Sequence, residues 1–409
     1  MHGHVEALAS KMKRDRAAQA ARCTGDQDDG AKAHGSYNAA MQAKQSASVS
    51  AALLQLIRRA LASNGGWLPF DRFMAMALYA PGLGYYSRSD RQFGALPSSG
   101  SDFITAPELS PLFGRALARQ VAQALEGSGT DVIWEFGAGS GALALQLIEA
   151  LGERVRQYRI VDVSGVLRSR QQHTLQQHAG RVEWLDALPE SFDGVVVGNE
   201  VLDAMPVQLL HFDGKRWQER GVVAEGDGFA WADHETTARP PHEGPFAAGT
   251  ITEIHPQAQA FIATLADRLE RGAAFFIDYG FPAVEYYHPQ RRGGTLMCHR
   301  GHRADADPLV DVGEKDITAH VDFTGIALAA QDAGLDVLGY ATQARFLMNC
   351  GLLDMLRDAD LPTVANAQKL LNEHEMGELF KVIGFAKGCG EAFLTAPLGF
   401  SSGDRTHVL

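Results

Sequence analysis

The stretch Val132-Ile133-Trp134-Glu135-Phe136-Gly137-Ala138-Gly139-Ser140-Gly141 carries an apolar, β-branched segment into three glycines and then into Ala142–Leu151, which has the composition of a helix. A strand that turns at once into a helix needs dihedrals that glycine reaches without strain, and bare glycine backbone lets a ligand approach closely. Short apolar runs recur at Tyr158–Val163, Val182–Leu185, Gly194–Gly198 and Ala273–Ile277, with helical stretches such as Val166–His178 between some of them. Strands alternating with helices predict an α/β chain whose parallel sheet is covered on both faces.

The 409 residues suffice for one large domain with insertions or for two domains. Hydrophobic residues at 45% and charged residues at 21% are ordinary for a globular chain. The formal net charge of −12 offers no basic field to hold nucleic acid by its phosphates, and favours a small molecule or a cationic protein segment. Cys23, Cys298, Cys350 and Cys389 are scattered and form no C-x-x-C pair, as expected in a reducing compartment. Cys298, His299 and His302 lack an obvious fourth ligand, so they read as polar loop residues and no metal is expected. No apolar run approaches the roughly 20 residues that cross a bilayer. The first 48 residues lack the apolar centre of a secretory signal. Asp15, Asp26, Asp28 and Asp29 disfavour a mitochondrial presequence. Residues 1–49 therefore read as a disordered leader.

An N-terminal helical segment is expected over 50–130. Leu53, Leu54, Ile57 and Leu61 share one face of a helix at Ala51–Ser63, which Asn64-Gly65-Gly66 stops. Helices follow at Phe70–Leu78 and Pro111–Glu126, with a polar loop over Arg88–Ser101 between them. The α/β core is expected over 131–345, with insertions near 212–250 and 286–316. The first of these, rich in Gly, Trp, Asp and Pro, suggests added strands; the second is a long polar stretch. Residues 346–409 are expected to hold helix over Leu352–Phe380, a late strand at Val382–Phe385 and a tail.

The glycine spacing is G-x-G-x-G, without the glycine one residue later that marks a dinucleotide site. Adenosylmethionine has no phosphate and carries a sulfonium and an ammonium, which Glu135 suits directly or through water. Asp162 ends the second strand, where a carboxylate accepts both ribose hydroxyl protons. Asp186 follows the third, where a side chain can accept the adenine amino group. Ligands of such sheets bind at the C-terminal strand edge, so Gly137, Gly139, Gly141, Asp162 and Asp186 predict one cofactor pocket. The fourth strand ends in Gly198-Asn199-Glu200-Val201-Leu202-Asp203-Ala204-Met205-Pro206. Polar Asn199, Glu200 and Asp203 at this place suit an acceptor held for in-line methyl displacement, which needs positioning and desolvation.

These blocks together resemble the MidA family of S-adenosylmethionine-dependent methyltransferases, which includes a mitochondrial complex I assembly factor. The resemblance runs from about Leu53 to Lys387. It rests on Tyr79-Ala-Pro-Gly-Leu-Gly-Tyr-Tyr86, Asp102-Phe-Ile-Thr-Ala-Pro-Glu-Leu-Ser110, Glu135–Gly141 and Asn199–Pro206. It continues through Ile277-Asp-Tyr-Gly280, Asp316-Ile-Thr-Ala-His-Val-Asp-Phe323 and Glu375-Met-Gly-Glu-Leu-Phe-Lys381. It implies a Rossmann-like class I methyltransferase sheet with an added helical region. It implies that Gly137, Gly139, Gly141 and Asp162 hold the cofactor, S-adenosyl-L-methionine, with Thr105 and Glu108 covering it. Asp162 stands where relatives often have Glu, a change that keeps the carboxylate. In mitochondrial members it implies symmetric dimethylation of an arginine on a complex I subunit. Met297-Cys298-His299 resembles bacterial members more, which favours a bacterial cytoplasm over a mitochondrial matrix.

A protein arginine as acceptor gives the acids a purpose. Guanidinium stays charged at neutral pH, with a pKa above about 12, and is a poor nucleophile. Carboxylates that grip two of its nitrogens free a lone pair on the third. Glu200 and Asp203 are the first candidates, with Asp278, His320 and Asp322 on facing loops and Tyr85 and Tyr86 as walls. His320 is a candidate proton acceptor. Two other readings stand beside this one: a methyltransferase for a small molecule or another protein side chain, and a non-catalytic assembly chaperone that keeps the cofactor pocket.

Overall fold

Seven strands lie side by side in the order Asp336–Thr342, Phe380–Lys387, Leu269–Phe281, Phe192–Asn199, Val132–Phe136, Gln157–Val161, Val182–Leu185. Val321–Asp322 adds an eighth at the end of Leu269–Phe281. The five strands from 132 to 281 pair in parallel, and Phe380–Lys387 runs antiparallel to both its neighbours. This computed structural model describes residues 48–88, 104–162, 164–301 and 303–409.

Alternation along the strands sends side chains to both faces, and helices cover each. Ile133, Val195, Val197, Phe275 and Ile277 pack with Leu117, Val121, Leu147 and Ile148 from the helices Pro111–Ser128 and Ala142–Leu151. Trp134, Val196, Ala274 and Phe276 pack with Ile262, Leu265, Phe323 and Ile326 from the helices Pro256–Arg268 and Phe323–Asp332. Each fully buried Leu, Ile or Phe side chain contributes roughly 1.5–3 kcal/mol, so the two layers hold the sheet rigidly.

The 212–250 insertion forms strands, as its composition suggests. Trp217–Glu225 and Gly228–Glu235 make a hairpin that joins Gln208–Phe212, Thr250–Ile254 and the short Trp67–Pro69 in an antiparallel sheet. Leu209 and Val222 on this sheet pack against Leu53, Ile57, Phe70 and Phe73. The 286–316 stretch is less irregular than expected. Met297–Arg300 pairs with both Arg303–Asp305 and Asp316–Thr318.

Other elements depart from the expectations. The N-terminal helix spans 48–63, so it takes in the end of the expected leader; residues 1–47 lie outside the described residues. The loop expected over Arg88–Ser101 also lies outside them after Arg88. Val166–His178 ends as an α-helix at Thr174 and continues as a tighter turn over Gln176–Arg181. Leu352–Phe380 is three helices, Leu352–Met355, Leu361–Leu371 and Met376–Leu379. Asp360 accepts the Thr363 amide proton to start the middle one, and Asn372 ends it in extended backbone. The late strand is longer than expected, at Phe380–Lys387, and sits inside the sheet. The segment drawn from 346 to 409 thus shares the core sheet.

Candidate active site

A cavity of about 900 Å³ opens at the C-terminal ends of Val132–Phe136, Gln157–Val161 and Phe192–Asn199. At one end is the glycine turn. Gly137, Gly139 and Gly141 have φ of 61°, 52° and 80°. A Cβ on Gly139 would meet no atom within 4 Å, so this backbone borders open space in the cavity. Gly141 does a different job: its Cβ would lie 3.4 Å from the Gln171 backbone, and it does not line the cavity.

Asp162 follows the second strand and is buried. Its Oδ1 accepts the Ser164 amide proton at 2.8 Å and its Oδ2 accepts from Gln171 Nε2 at 2.8 Å. The Gln171 amide also donates to the Gly139 carbonyl, at 3.3 Å, and Trp184 Nε1 holds its oxygen. Gln171 therefore ties Asp162 to the glycine turn. Burial raises the Asp162 pKa, and the two hydrogen bonds oppose that rise. Glu135 is buried with its Oε2 accepting from Tyr158 Oη at 2.7 Å. Burial, with the charge of Asp162 adding to it, pushes Glu135 up to about 8. Thr105 and Glu108 also line the cavity, and Glu108 lies 3.7 Å from the Arg170 guanidinium.

Asp186 is the exception. Its side chain is 87% exposed, paired with Arg168 at 2.5 Å, and does not line the cavity. The strand-end position was readable, but its orientation away from the cavity was not.

The other end is acidic. Asn199 Nδ2 donates to Glu200 Oε1 at 2.9 Å, while Asn199 Oδ1 is buried without a partner among the described residues. Glu200 sits at φ 55°, a left-handed conformation rare for a residue with a Cβ. Such strain marks places that the surroundings over-determine, often functional ones. Burial first, then the charge of Asp203, pushes Glu200 up to about 8. Asp203 is 5% exposed; Tyr279 Oη donates to its Oδ2, and its Oδ1 has no partner among the described residues. Burial pushes Asp203 up to about 6, against the pull of the Tyr279 bond. Among the described residues, no Lys or Arg pairs with Glu200 or Asp203.

Asp278 stands behind this loop and does not line the cavity. Its Oδ2 accepts from the backbone amides of Val201, Leu202 and Asp203 at 3.1, 2.9 and 3.3 Å, which fixes the loop. Burial and the charges of Asp203 and Glu200 raise its pKa. Asp322 is also elsewhere: it caps the helix Phe323–Asp332 through the Gly325 amide and accepts from Tyr287 Oη. His320 does line the cavity, stacked on Phe281 and edge-on to Tyr279. Burial lowers it to about 4, so it is neutral near pH 7, and its Nδ1 has no partner among the described residues. Of the candidate walls, Tyr86 lines the cavity and Tyr85 is in the core.

Thus Glu135, Gly137, Gly139, Asp162, Asn199, Glu200, Asp203, His320, Thr105 and Glu108 share one cavity, while Gly141, Asp186, Asp278 and Asp322 do not border it. Sequence reasoning missed Tyr158, Gln171 and Tyr279. Tyr279 lies in the Ile277–Gly280 block, so its position was visible and its partner was not. Adenosylmethionine fits the first end: open glycine backbone and two buried acids suit a molecule with hydroxyls, an ammonium and a sulfonium.

The family model of S-adenosyl-L-methionine-dependent methyltransferases matches residues 116–341. The chain is 27% identical over 331 residues to the protein arginine methyltransferase NDUFAF7 homolog, mitochondrial, of Caenorhabditis elegans, covering 71% of this chain and 75% of that protein. It is 25% identical over 388 residues to protein arginine methyltransferase NDUFAF7, mitochondrial, of Danio rerio, covering 82% and 87%. A crystal structure from Burkholderia thailandensis, bound to S-adenosyl-homocysteine, superposes with a TM-score of 0.85 at 51% identity, covering 89% of this chain and 98% of that one.

Proposed function

Because the chain belongs to the family of S-adenosyl-L-methionine-dependent methyltransferases, we propose that its acceptor is an arginine side chain of a protein. The observation that carries this reading is the Glu200–Asp203 pair, two acids at the cavity end that no Lys or Arg of the described residues neutralises. A buried carboxylate without a counter-charge is costly, and a cationic acceptor relieves that cost on binding. Guanidinium supplies charge and up to five N–H donors, enough for Asp203 Oδ1 and Glu200. The names of the NDUFAF7 relatives support the same acceptor.

S-adenosyl-L-methionine, when bound, supplies an electrophilic methyl group. Gly137, Gly139, Glu135, Asp162 and Asn199 would hold it, with Thr105 and Glu108 at the mouth. Glu200 and Asp203 would grip two guanidinium nitrogens, localise charge there and leave density on the third. Asp203, with its free Oδ1, would take the proton released as the nitrogen gains carbon. Tyr279 holds Asp203 in place, Asp278 holds the loop, and neutral His320 adds no competing charge.

Membership in the resembled family supports a complex I subunit as the target. The 51% identity to a Burkholderia protein, against 25–27% to the two mitochondrial relatives, supports a bacterial cytoplasm. The test is incubation with methyl-labelled cofactor and the proteome of cells lacking this protein, followed by mass spectrometry. Methylarginine in a protein, lost with Glu200→Gln and Asp203→Asn, is expected. Label on lysine or on a small molecule would overturn the reading, as would rescue of the deletion strain by an inactive Asp203→Ala protein.

A further inference from the structure

The block Tyr79-Ala80-Pro81-Gly82-Leu83-Gly84-Tyr85-Tyr86 folds into a tight return whose purpose the preceding chemistry does not use. The helix Phe70–Tyr79 ends before Pro81, which cannot continue it. The chain then doubles back: the amides of Gly84, Tyr85 and Tyr86 donate to the carbonyls of Ala80, Ala77 and Leu78 at 2.8, 2.9 and 2.9 Å. A Cβ on Gly84 would come within 2.6 Å of the Ala80 nitrogen and 2.7 Å of the Leu78 carbonyl, so glycine is required there. The return lays the Tyr86 ring on that of Tyr79, with centroids 5.6 Å apart and planes 19° from parallel.

The stacked pair reaches both ends of the cavity. At the cofactor end, Ser164 Oγ donates to the Tyr86 carbonyl at 2.7 Å, and the Ser164 amide donates to Asp162 at 2.8 Å. At the acceptor end, Tyr79 Oη donates to the Ala204 carbonyl at 2.8 Å, one residue beyond Asp203. Tyr86 Oη donates to Asp316 Oδ1 at 2.8 Å, on the strand that precedes His320. The Ala319 amide donates to the Asp203 carbonyl at 3.0 Å, which closes the frame.

We propose that Tyr79 and Tyr86 are positioning residues that set the separation between the Asp162 end, where the cofactor is held, and the Asp203–Ala204 loop, where the acceptor is held. The stack keeps its place by ring contact; the hydroxyls carry the positional information. In-line transfer is sensitive to such spacing, since a misplacement of about 1 Å can cost on the order of 100-fold in rate. Both hydroxyls already donate to protein acceptors, the Ala204 carbonyl and Asp316 Oδ1, so their loss should fall on turnover rather than on ligand affinity. This inference rests on membership in the methyltransferase family and is independent of the arginine reading, because the assay scores methyl transfer to any acceptor.

The test uses full-length protein, Tyr79→Phe, Tyr86→Phe and the double variant. Each keeps its ring, and melting temperature checks folding. Affinity for S-adenosyl-homocysteine is measured by calorimetry, and methyl transfer is followed with labelled cofactor and graded amounts of the deletion-strain proteome. S-adenosyl-homocysteine affinity and half-saturating proteome within about threefold of the parent, with the maximal rate down about 10- to 100-fold in the double variant, is the expected split. Hydrogen exchange at the Ala319 amide should also quicken. A maximal rate within threefold of the parent overturns the proposal, and so does a tenfold loss of S-adenosyl-homocysteine affinity.

Discussion

Tyr279 and Asp203 face each other across the acceptor end of the cavity, the phenol donating to Oδ2 while Oδ1 of the same carboxylate is left for another donor. The bond counters part of the rise that burial imposes on Asp203, which settles at about 6. Removing the phenol therefore moves that carboxylate further up. Tyr279→Phe should shift the acid limb of the activity profile to higher pH and lower the rate at pH 6 by about tenfold, with a smaller loss at pH 8, consistent with a charge-assisted hydrogen bond worth roughly 1.5–3 kcal/mol. A rate-against-pH series on both proteins measures it; superimposed profiles would contradict it.

Gly139→Val should abolish binding of S-adenosyl-homocysteine, with at least a 100-fold loss. The position has φ 52° and borders open cavity, so a branched side chain is both strained and aimed at the space a ligand needs. The strain alone costs about 1–3 kcal/mol, which a domain of this size tolerates, so calorimetry on folded protein decides the matter. Unchanged affinity would mean that the cofactor lies elsewhere.

Asp162 and Asp186 should separate cleanly. Asp162 is buried beside the glycine turn, whereas the Asp186 side chain is exposed on Arg168. Asp162→Ala should weaken S-adenosyl-homocysteine by about 100-fold, in line with losing a bidentate carboxylate contact of roughly 2–3 kcal/mol. Asp186→Ala should stay within about twofold. Equal losses would restore Asp186 to the site.

Stability of the ligand-free protein should fall as pH rises. Glu135 and Glu200 each have an ordinary value of 4.5 and are pushed up to about 8 in the folded chain. The folded state then holds these protons more tightly than the unfolded one. Their contribution is full below about 4.5 and is lost as pH rises through about 8. Glu135→Gln should flatten the fall in melting temperature between pH 5 and pH 8 by a few degrees, since about 1 kcal/mol corresponds to ~2–4 °C in domains somewhat smaller than this. Parallel curves for the two proteins would remove Glu135 as a contributor.

Asp278→Ala should destabilise the fold by about 3 kcal/mol, because three backbone amides, two of them fully buried, lose their common acceptor. Hydrogen exchange should quicken at Val201, Leu202 and Asp203 before it does at Ala142–Leu151. Denaturant unfolding gives the first quantity and exchange mass spectrometry the second. Retained protection at 201–203 would show that another group holds the loop.

The core-sheet strands from Val132 to Ile277 could be read from the sequence because each is a short apolar or β-branched run. Less visible were the helices Pro256–Arg268 and Phe323–Asp332 and the strand Asp336–Thr342. Their apolar positions are short-spaced and Ala-rich, as in Phe323-Thr-Gly-Ile-Ala-Leu-Ala-Ala330, so periodicity alone does not mark a boundary. At the site, glycines and acids were legible because their chemistry is local. Asp278 and Asp322 were visible as acids, but whether an acid faces a cavity or a row of backbone amides depends on packing from elements far away in the chain. The roles of Gln171 and Tyr279 were not legible for the same reason: each acts on a partner in a loop of another part of the chain.

The strand order carries a consequence for synthesis. Phe380–Lys387 lies between Leu269–Phe281 and Asp336–Thr342, so the earlier-made edge segment has no neighbour to pair with until the later one arrives. Until then the ribosome displays an open, apolar flank of Leu269–Phe281, a surface prone to wrong pairing. The sheet is zipped from its interior at the last moment, and a nascent chain stalled before residue 380 should need protection that the finished one does not.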